Sequence, residues 1–184
     1  MKSCLTICCL IISCSLSAQG EAKYYTENGT VAFSSEASLE TIKATSNKLV
    51  GTIDPVKNTF TFKLEIISFD GFNSPMQKVH FNENYMETDR FQVASFSGRI
   101  IEKVDLNKPG LYSLRAKGKL NVHGIKQERI IKCTVKVKDG KIRAQTKFSI
   151  LLDEHGIQLP KIIKQKIAEE VIVEVDAELE KQQM

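Results

Sequence analysis

The segment KIRAQTKFSILL, residues 141–152, alternates apolar side chains with mostly polar ones. One set contains Ile142, Ala144, Thr146, Phe148, Ile150 and Leu152. Because successive side chains of a β-strand point to opposite faces, this spacing predicts a strand with one apolar face. At least four other segments repeat the pattern. Several long strands of this kind need a second sheet, or closure into a barrel, to bury their apolar faces.

The same alternation, read outward from this segment, predicts eight strands. They cover residues 24–33, 41–53, 59–67, 91–104, 111–122, 127–137, 141–152 and 170–179. Asp139-Gly140 lies between two of them and is typical of a two-residue hairpin turn. Since hairpins join most of the strands, we predict an all-β fold, an extended eight-stranded antiparallel barrel. An open sandwich is the alternative.

Two short helical segments are predicted between the strands. Ser74 and Pro75 favour a helix start, because serine caps the first turn and proline is tolerated there. Helical spacing of the following apolar residues extends this inserted helix to about residue 85. A second, shorter helical turn is predicted over 159–166, before the last strand.

Residues 1–18 are interpreted as a signal peptide. Lys2 is followed by an uncharged, mostly apolar run over 4–12 that is too short to span a bilayer. Cleavage after Ala18 would leave a single domain over 19–184. The rival interpretation is a lipoprotein signal, since residues 11–14 are similar to a lipobox and would leave the chain anchored through Cys14. The predicted location is therefore periplasmic or secreted, with the anchored lipoprotein as the alternative.

The cysteines predict no disulfide in the body of the chain. Of five cysteines, only Cys133 lies beyond the signal region. It is in register with Ile131 and Val135, so a buried, apolar role is favoured over that of a reactive nucleophile.

No set of residues indicates catalysis or metal binding. His80, His123 and His155 have no second His or Cys at ligand spacing. A solvated loop is favoured over a weak cation site for His155, which is flanked by Asp153 and Glu154. There is no glycine-rich phosphate loop and no serine in a nucleophile elbow. We expect no enzyme activity, no metal and no other cofactor.

Charge excludes another class of partner. The formal net charge of +4 is small and its excess is scattered along the strands, so nucleic-acid binding is not expected. No transmembrane segment is expected in the mature chain.

The inward faces supply candidate residues for a ligand pocket. They are Phe60, Phe62, Leu64, Phe96, Tyr112, Leu114, Ala116, Phe148 and Ile150. A barrel of this size either holds one small ligand or is filled by its own side chains, and the residues alone leave both open. The period of two also predicts that Lys63, Arg143 and Lys147 point to solvent.

Several segments, in order along the chain, resemble YceI-like proteins. Residues 81–88 (FNENYMET) and 94–100 (ASFSGRI) are similar to that family's helix end and following strand. Residues 120–127 (LNVHGIKQ) are similar to its strand ending in a His-Gly turn. The closing region is similar at 148–150 (FSI), 155–157 (HGI) and 166–171 (KIAEEV). One departure is Arg90-Phe91-Gln92, where the family usually has Lys-Tyr-Pro.

The resemblance implies a lipocalin-like barrel in the periplasm that carries an apolar ligand, a polyisoprenoid or isoprenoid-quinone lipid. The alternative is a non-catalytic envelope or stress-related module with a filled barrel, acting through a protein partner. A lipid isomerase or hydrolase has no candidate groups. A homodimer is left open.

Overall fold

The computed structural model of the protein describes residues 23–182. Eight antiparallel strands close into one barrel in sequence order, and the last strand pairs back with the first. The strands are β1 Tyr24–Glu36, β2 Thr41–Asp54, β3 Thr59–Glu65, β4 Val93–Ile100, β5 Gly110–Val122, β6 Ile125–Lys138, β7 Lys141–Leu151 and β8 Glu170–Lys181. The predicted eight-stranded, lipocalin-like barrel is confirmed, and the open sandwich is wrong.

The inserted helix is confirmed, but it changes from α-helix to π-helix along its length. It begins as α1, Pro75–His80, and continues as one π-helical turn over Phe81–Tyr85. Ser74 caps it, since its hydroxyl accepts a hydrogen bond from the backbone N–H of Gln77 at 3.2 Å. The second predicted helical segment is reduced to a 3-10 turn, Lys161–Ile163.

Two predicted strands are too long by two residues or more. β3 ends at Glu65 because Ile66–Ser68 forms a 3-10 turn, and β4 ends at Ile100 rather than 104. The loop that follows β4 turns back so that the side chain of Leu106 is completely buried. The apolar residues that prolonged the alternation in the sequence therefore belong to turns and loops that cover the barrel.

The up-and-down order gives the barrel two unlike ends. At one end, which we call the closed end, the connections span 55–58, 101–109 and 139–140. Tyr24, Leu106, Ile142 and Leu179 fill this end and are almost completely buried. At the other end, which we call the mouth, lie the two long connections over 66–92 and 152–169.

Two hairpins use left-handed backbone at both turn residues. Asp139 and Gly140 have φ angles of 51° and 75°, as a type I′ turn requires, so the predicted hairpin is confirmed. His123 and Gly124 have φ angles of 51° and 76°.

The ring of Phe91 packs edge-on against His123 with centroids 4.3 Å apart. A Cβ at Gly124 would lie 2.7 Å from that ring, so glycine allows the contact. This packing fixes the path of the chain where the sequence departs from Lys-Tyr-Pro.

The outer face is charged, as the period of two predicts. Lys63, Arg143 and Lys147 are all exposed, which confirms the register. Arg143 and Lys147 each pair across β7 and β8, with Asp176 and Glu174, at 2.6 Å. Solvent screens such exposed pairs, so burial of the inner face must supply most of the stability.

Some predictions fall on residues that the structure does not describe. The signal peptide over 1–18 and the lipid anchor at Cys14 lie outside residues 23–182. Within that range, no helix is both long enough and apolar enough to cross a membrane.

Candidate ligand-binding cavity

The barrel encloses a cavity of about 540 Å³. Its volume falls in the range of about 300–1,000 Å³ that small-molecule sites occupy. Most of its wall is aliphatic or aromatic, and every strand of the barrel contributes to it. Seven of the nine predicted residues line it: Phe60, Phe62, Leu64, Phe96, Ala116, Phe148 and Ile150.

The other two predicted residues lie outside the cavity. Leu114 is buried, but it belongs to the packed core of the closed end. Tyr112 lies two residues before Leu114 on β5 and is therefore further from the mouth. Its hydroxyl donates a hydrogen bond to the carbonyl of Lys108 at 3.0 Å. Both face inward as predicted. Periodicity predicts the face of the strand on which a side chain lies. Whether an inward side chain reaches the cavity depends on which end of the barrel is filled by packed side chains.

Local packing keeps the phenylalanine rings from blocking the bore. Phe62 on β3 lies opposite Gly51 on β2. A Cβ at Gly51 would meet the Phe62 ring at 2.1 Å, so the ring occupies the space that a side chain there would take. Phe60 packs against Phe96 with centroids 4.9 Å apart. The Phe62 ring thus lies against β2, and all three rings line the cavity.

An aromatic cluster that the sequence did not predict lines the cavity near the mouth. Phe33 stacks on Phe81 at 5.4 Å and meets Phe69 edge-on at 5.1 Å, and Phe72 lies 5.0 Å from Phe81. Three of these rings come from the connection over 66–92, so the cluster ties that insertion to β1. The available signal for this cluster was Phe81 itself, which lies within the predicted inserted helix.

The second long connection supplies the opposite side of the mouth, and His155 anchors it. His155 is completely buried, and its Nδ1 lies 3.3 Å from the carbonyl oxygen of Ile125. Its own carbonyl oxygen lies 3.1 Å from Nδ1 of His123. Burial lowers the pKa of His155 below its usual value, which favours the neutral ring. The expectation of a solvated loop at His155 is therefore wrong, because the loop folds under the β5–β6 turn.

Polar groups gather where the cavity reaches the surface. Glu40, Gln77, His80 and Lys166 all border it there, and His80 and Lys166 are exposed. The Glu40 carboxylate accepts hydrogen bonds from Gln77 Nε2 at 2.7 Å and Asn73 Nδ2 at 3.3 Å. The cavity is thus mainly apolar inside, with a polar rim.

Cys133 lies on the cavity wall. Its thiol donates weakly to the carbonyl of Leu114 at 3.6 Å, and burial raises its pKa to about 11. Since the thiolate is the reactive form, Cys133 is a poor nucleophile at neutral pH. Over residues 23–182 there is no group of three or more His, Cys, Asp or Glu side chains arranged to hold a metal.

Solved structures share this fold. A polyisoprenoid binding domain from Saccharophagus degradans, implicated in plant cell wall breakdown, superposes with a TM-score of 0.71 at 14% identity, covering 89% of this chain and all of that one. BcnA from Burkholderia cenocepacia gives 0.68 at 15% identity over 82% of this chain and 95% of its own. The YCEI protein of Campylobacter jejuni gives 0.54 at 13% identity, covering 100% and 94%. At these identities the likeness establishes the fold.

A comparison with curated protein sequences found no match. The model of the YceI-like domain matches residues 23–179, which span the barrel almost from its first strand to its last. The predicted resemblance is confirmed, and the chain belongs to the YceI-like family.

Proposed function

We propose that the protein is a non-catalytic carrier that holds the apolar chain of a lipid, a polyisoprenoid or an isoprenoid quinone, inside its barrel. The observation that carries this proposal is the apolar cavity of about 540 Å³ that opens at a polar rim. An amphiphile with a long apolar tail and a small head matches that distribution. A polar ligand would lose its hydrogen bonds to water without replacement in the interior.

The energetics favour a tail of this kind. A long prenyl chain buries several hundred Å² of apolar surface, on the order of 10 kcal/mol gross at about 25 cal/mol per Å². Ordering the flexible chain offsets much of this gain. The net affinity therefore depends on how completely the wall surrounds the tail.

The polyisoprenoid binding named for the Saccharophagus degradans domain supports the same ligand class. The alternative, a module whose barrel is filled by its own side chains, requires an interior without this cavity.

Extraction of the native protein tests the ligand. Protein expressed with its own signal should release a prenyl lipid into organic solvent, and native mass spectrometry should show the corresponding added mass. Absence of lipid from that protein, together with failure to take up a prenyl alcohol in solution, would contradict the carrier.

The alkylation rate of Cys133 reports independently on whether the cavity is occupied. Cys133 lines the cavity wall and is the single cysteine beyond residue 14. Alkylation of Cys133 by iodoacetamide should be slow at neutral pH and accelerate toward pH 11, the region of its pKa. A bound prenyl chain should protect it further. Equal alkylation of loaded and lipid-free protein would place the lipid elsewhere.

We propose that this carrier works in the periplasm or as a secreted protein. The support is the apolar run over 4–12 and the small residues after it. Charged substitutions at Leu10, Ile11 and Ile12 should retain the chain in the cytoplasm, and undiminished export would refute the signal. Loss of membrane association in Cys14→Ala would favour the lipoprotein alternative.

A further inference from the structure

Large apolar side chains project into solvent around the mouth. Ile162 is 87% exposed, Leu39 is 67% exposed and Met76 is 60% exposed. Each belongs to a different segment that borders the mouth. Exposed apolar side chains that occur singly need no explanation, but a group around the opening of a cavity is a candidate contact surface.

Hydrogen bonds join these segments into one surface. The backbone N–H of Leu39 donates to the carbonyl of Gln165 at 2.9 Å, which links the β1–β2 turn to the segment that carries Ile162. On its other side, the same turn is linked to α1 through Glu40 and Gln77 at 2.7 Å. We call Leu39, Met76 and Ile162, with the backbone that joins them, the rim surface.

Basic side chains accompany Ile162. Lys161, Lys164 and Lys166 lie within four residues of it. Lys164 pairs with Glu169, whereas Lys161 and Lys166 have no acidic partner anywhere in residues 23–182. On the opposite side of the turn, the Glu40 carboxylate is held by the amides of α1 and the preceding loop. The side of the rim surface around Ile162 therefore carries uncompensated positive charge.

The two features together fit a bilayer. At a membrane surface, apolar side chains enter the boundary between headgroups and acyl chains, and flanking lysines lie beside anionic headgroups. Each lysine near an anionic surface adds to the attraction, which salt weakens. A protein partner would have to match a convex, protruding isoleucine with a pocket of its own.

We propose that the rim surface docks on an anionic phospholipid bilayer, so that the mouth opens directly onto the phase in which a prenyl lipid is stored. Ile162 and Leu39 enter the headgroup boundary, while Lys161 and Lys166 contact lipid phosphates. This inference rests on the proposed carrier function and adds the surface from which the carrier loads.

Vesicle binding tests the proposal with the chain over 19–184, which contains every strand of the barrel and lacks the cysteine available for lipidation. Wild-type protein should float with phosphatidylcholine vesicles that contain about one-third phosphatidylglycerol, and binding should weaken in high salt. Ile162→Asp should reduce this binding roughly tenfold or more, since it replaces the apolar tip with a repelled charge. The double variant Lys161→Glu, Lys166→Glu should lose the preference for anionic vesicles.

A matched control lies at the other end of the barrel. Leu111 is 73% exposed at the start of β5, so Leu111→Asp makes the same kind of change away from the mouth. It should bind vesicles like the wild type. Melting curves of all variants establish that they fold. Ala116→Phe, which narrows the cavity, should still dock even where it no longer carries lipid.

Three results would overturn the docking surface. They are no vesicle binding by the wild type, equal binding by Ile162→Asp, and equal loss in Leu111→Asp. A concentration-dependent dimer that Ile162→Asp abolishes, in protein that ignores vesicles, would assign the surface to a second copy of the chain. Co-purified lipid in protein that does not dock would refute only the docking, whereas docking by a protein that never holds lipid would refute only the carrier.

Discussion

The closed end and the mouth are built by the same eight strands, yet one is packed solid and the other is open. At the closed end, the loop over 101–109 returns Leu106 to the interior, where it is 0% exposed. At the mouth, the connections over 66–92 and 152–169 extend the wall and leave Ile162 projecting outward. The alternation of the strands is the same at both ends, so the difference comes from the connections.

Because of this difference, residues at the closed end should mainly determine stability, and residues near the mouth should mainly determine binding. Completely buried side chains at the closed end have the contact density of a protein core, and deleting one leaves a cavity. The walls near the mouth line the cavity instead. Substitutions there should alter what the barrel holds more than whether it folds.

Leu106→Ala should give the largest loss of stability and is the strongest test of this contrast. Removing a completely buried leucine side chain is expected to lower the free energy of unfolding by about 2–5 kcal/mol. Leu111→Ala, at an exposed position of the same end, should change it by less than about 0.5 kcal/mol. Urea unfolding measures both. Comparable losses in the two variants would show that the closed end is not the solid core that its burial indicates.

Ala116→Phe should have a smaller effect on stability and a decisive effect on binding. Ala116 lines the cavity, so the added ring should exclude a prenyl tail while overpacking costs about 1–3 kcal/mol. Lys119→Phe places the same ring on the outer face of the same strand and should leave lipid content unchanged. Extraction and a melting curve on each variant measure the two effects. A folded Ala116→Phe protein that retains its full lipid content would place the ligand outside this bore.

The sequence predicted the strands and most of the cavity because both depend on local alternation. Phe60 and Ile150 are buried and Lys147 is exposed, as the period of two requires. It did not predict that Tyr112 lies beyond the cavity, because depth depends on the loop over 101–109, which has no strand periodicity and returns Leu106 to the interior. The cluster around Phe81 was missed for a similar reason, since three of its rings come from an irregular insertion without strand periodicity.

Substitution of His155, which lies in the connection at the mouth, should give the smallest effect. It should change how the free energy of unfolding depends on pH. Burial lowers its pKa below 6.5 in the folded protein, whereas the unfolded chain titrates near 6.5. The nearby charge of Arg129 also lowers this pKa, while the charge of Glu154 and the carbonyls of Val122 and Ile125 raise it.

Well above pH 6.5 the His155 ring is neutral in both the folded and the unfolded state, so it favours neither state. As the pH falls below 6.5, the unfolded chain binds a proton that the folded protein resists, so the free energy of unfolding decreases. His155→Gln cannot titrate and should lose this part of the decrease. Urea unfolding between about pH 8 and pH 5 measures the slope of the unfolding free energy against pH for each protein. Equal slopes for the wild type and His155→Gln would mean that the buried imidazole accepts its proton without penalty.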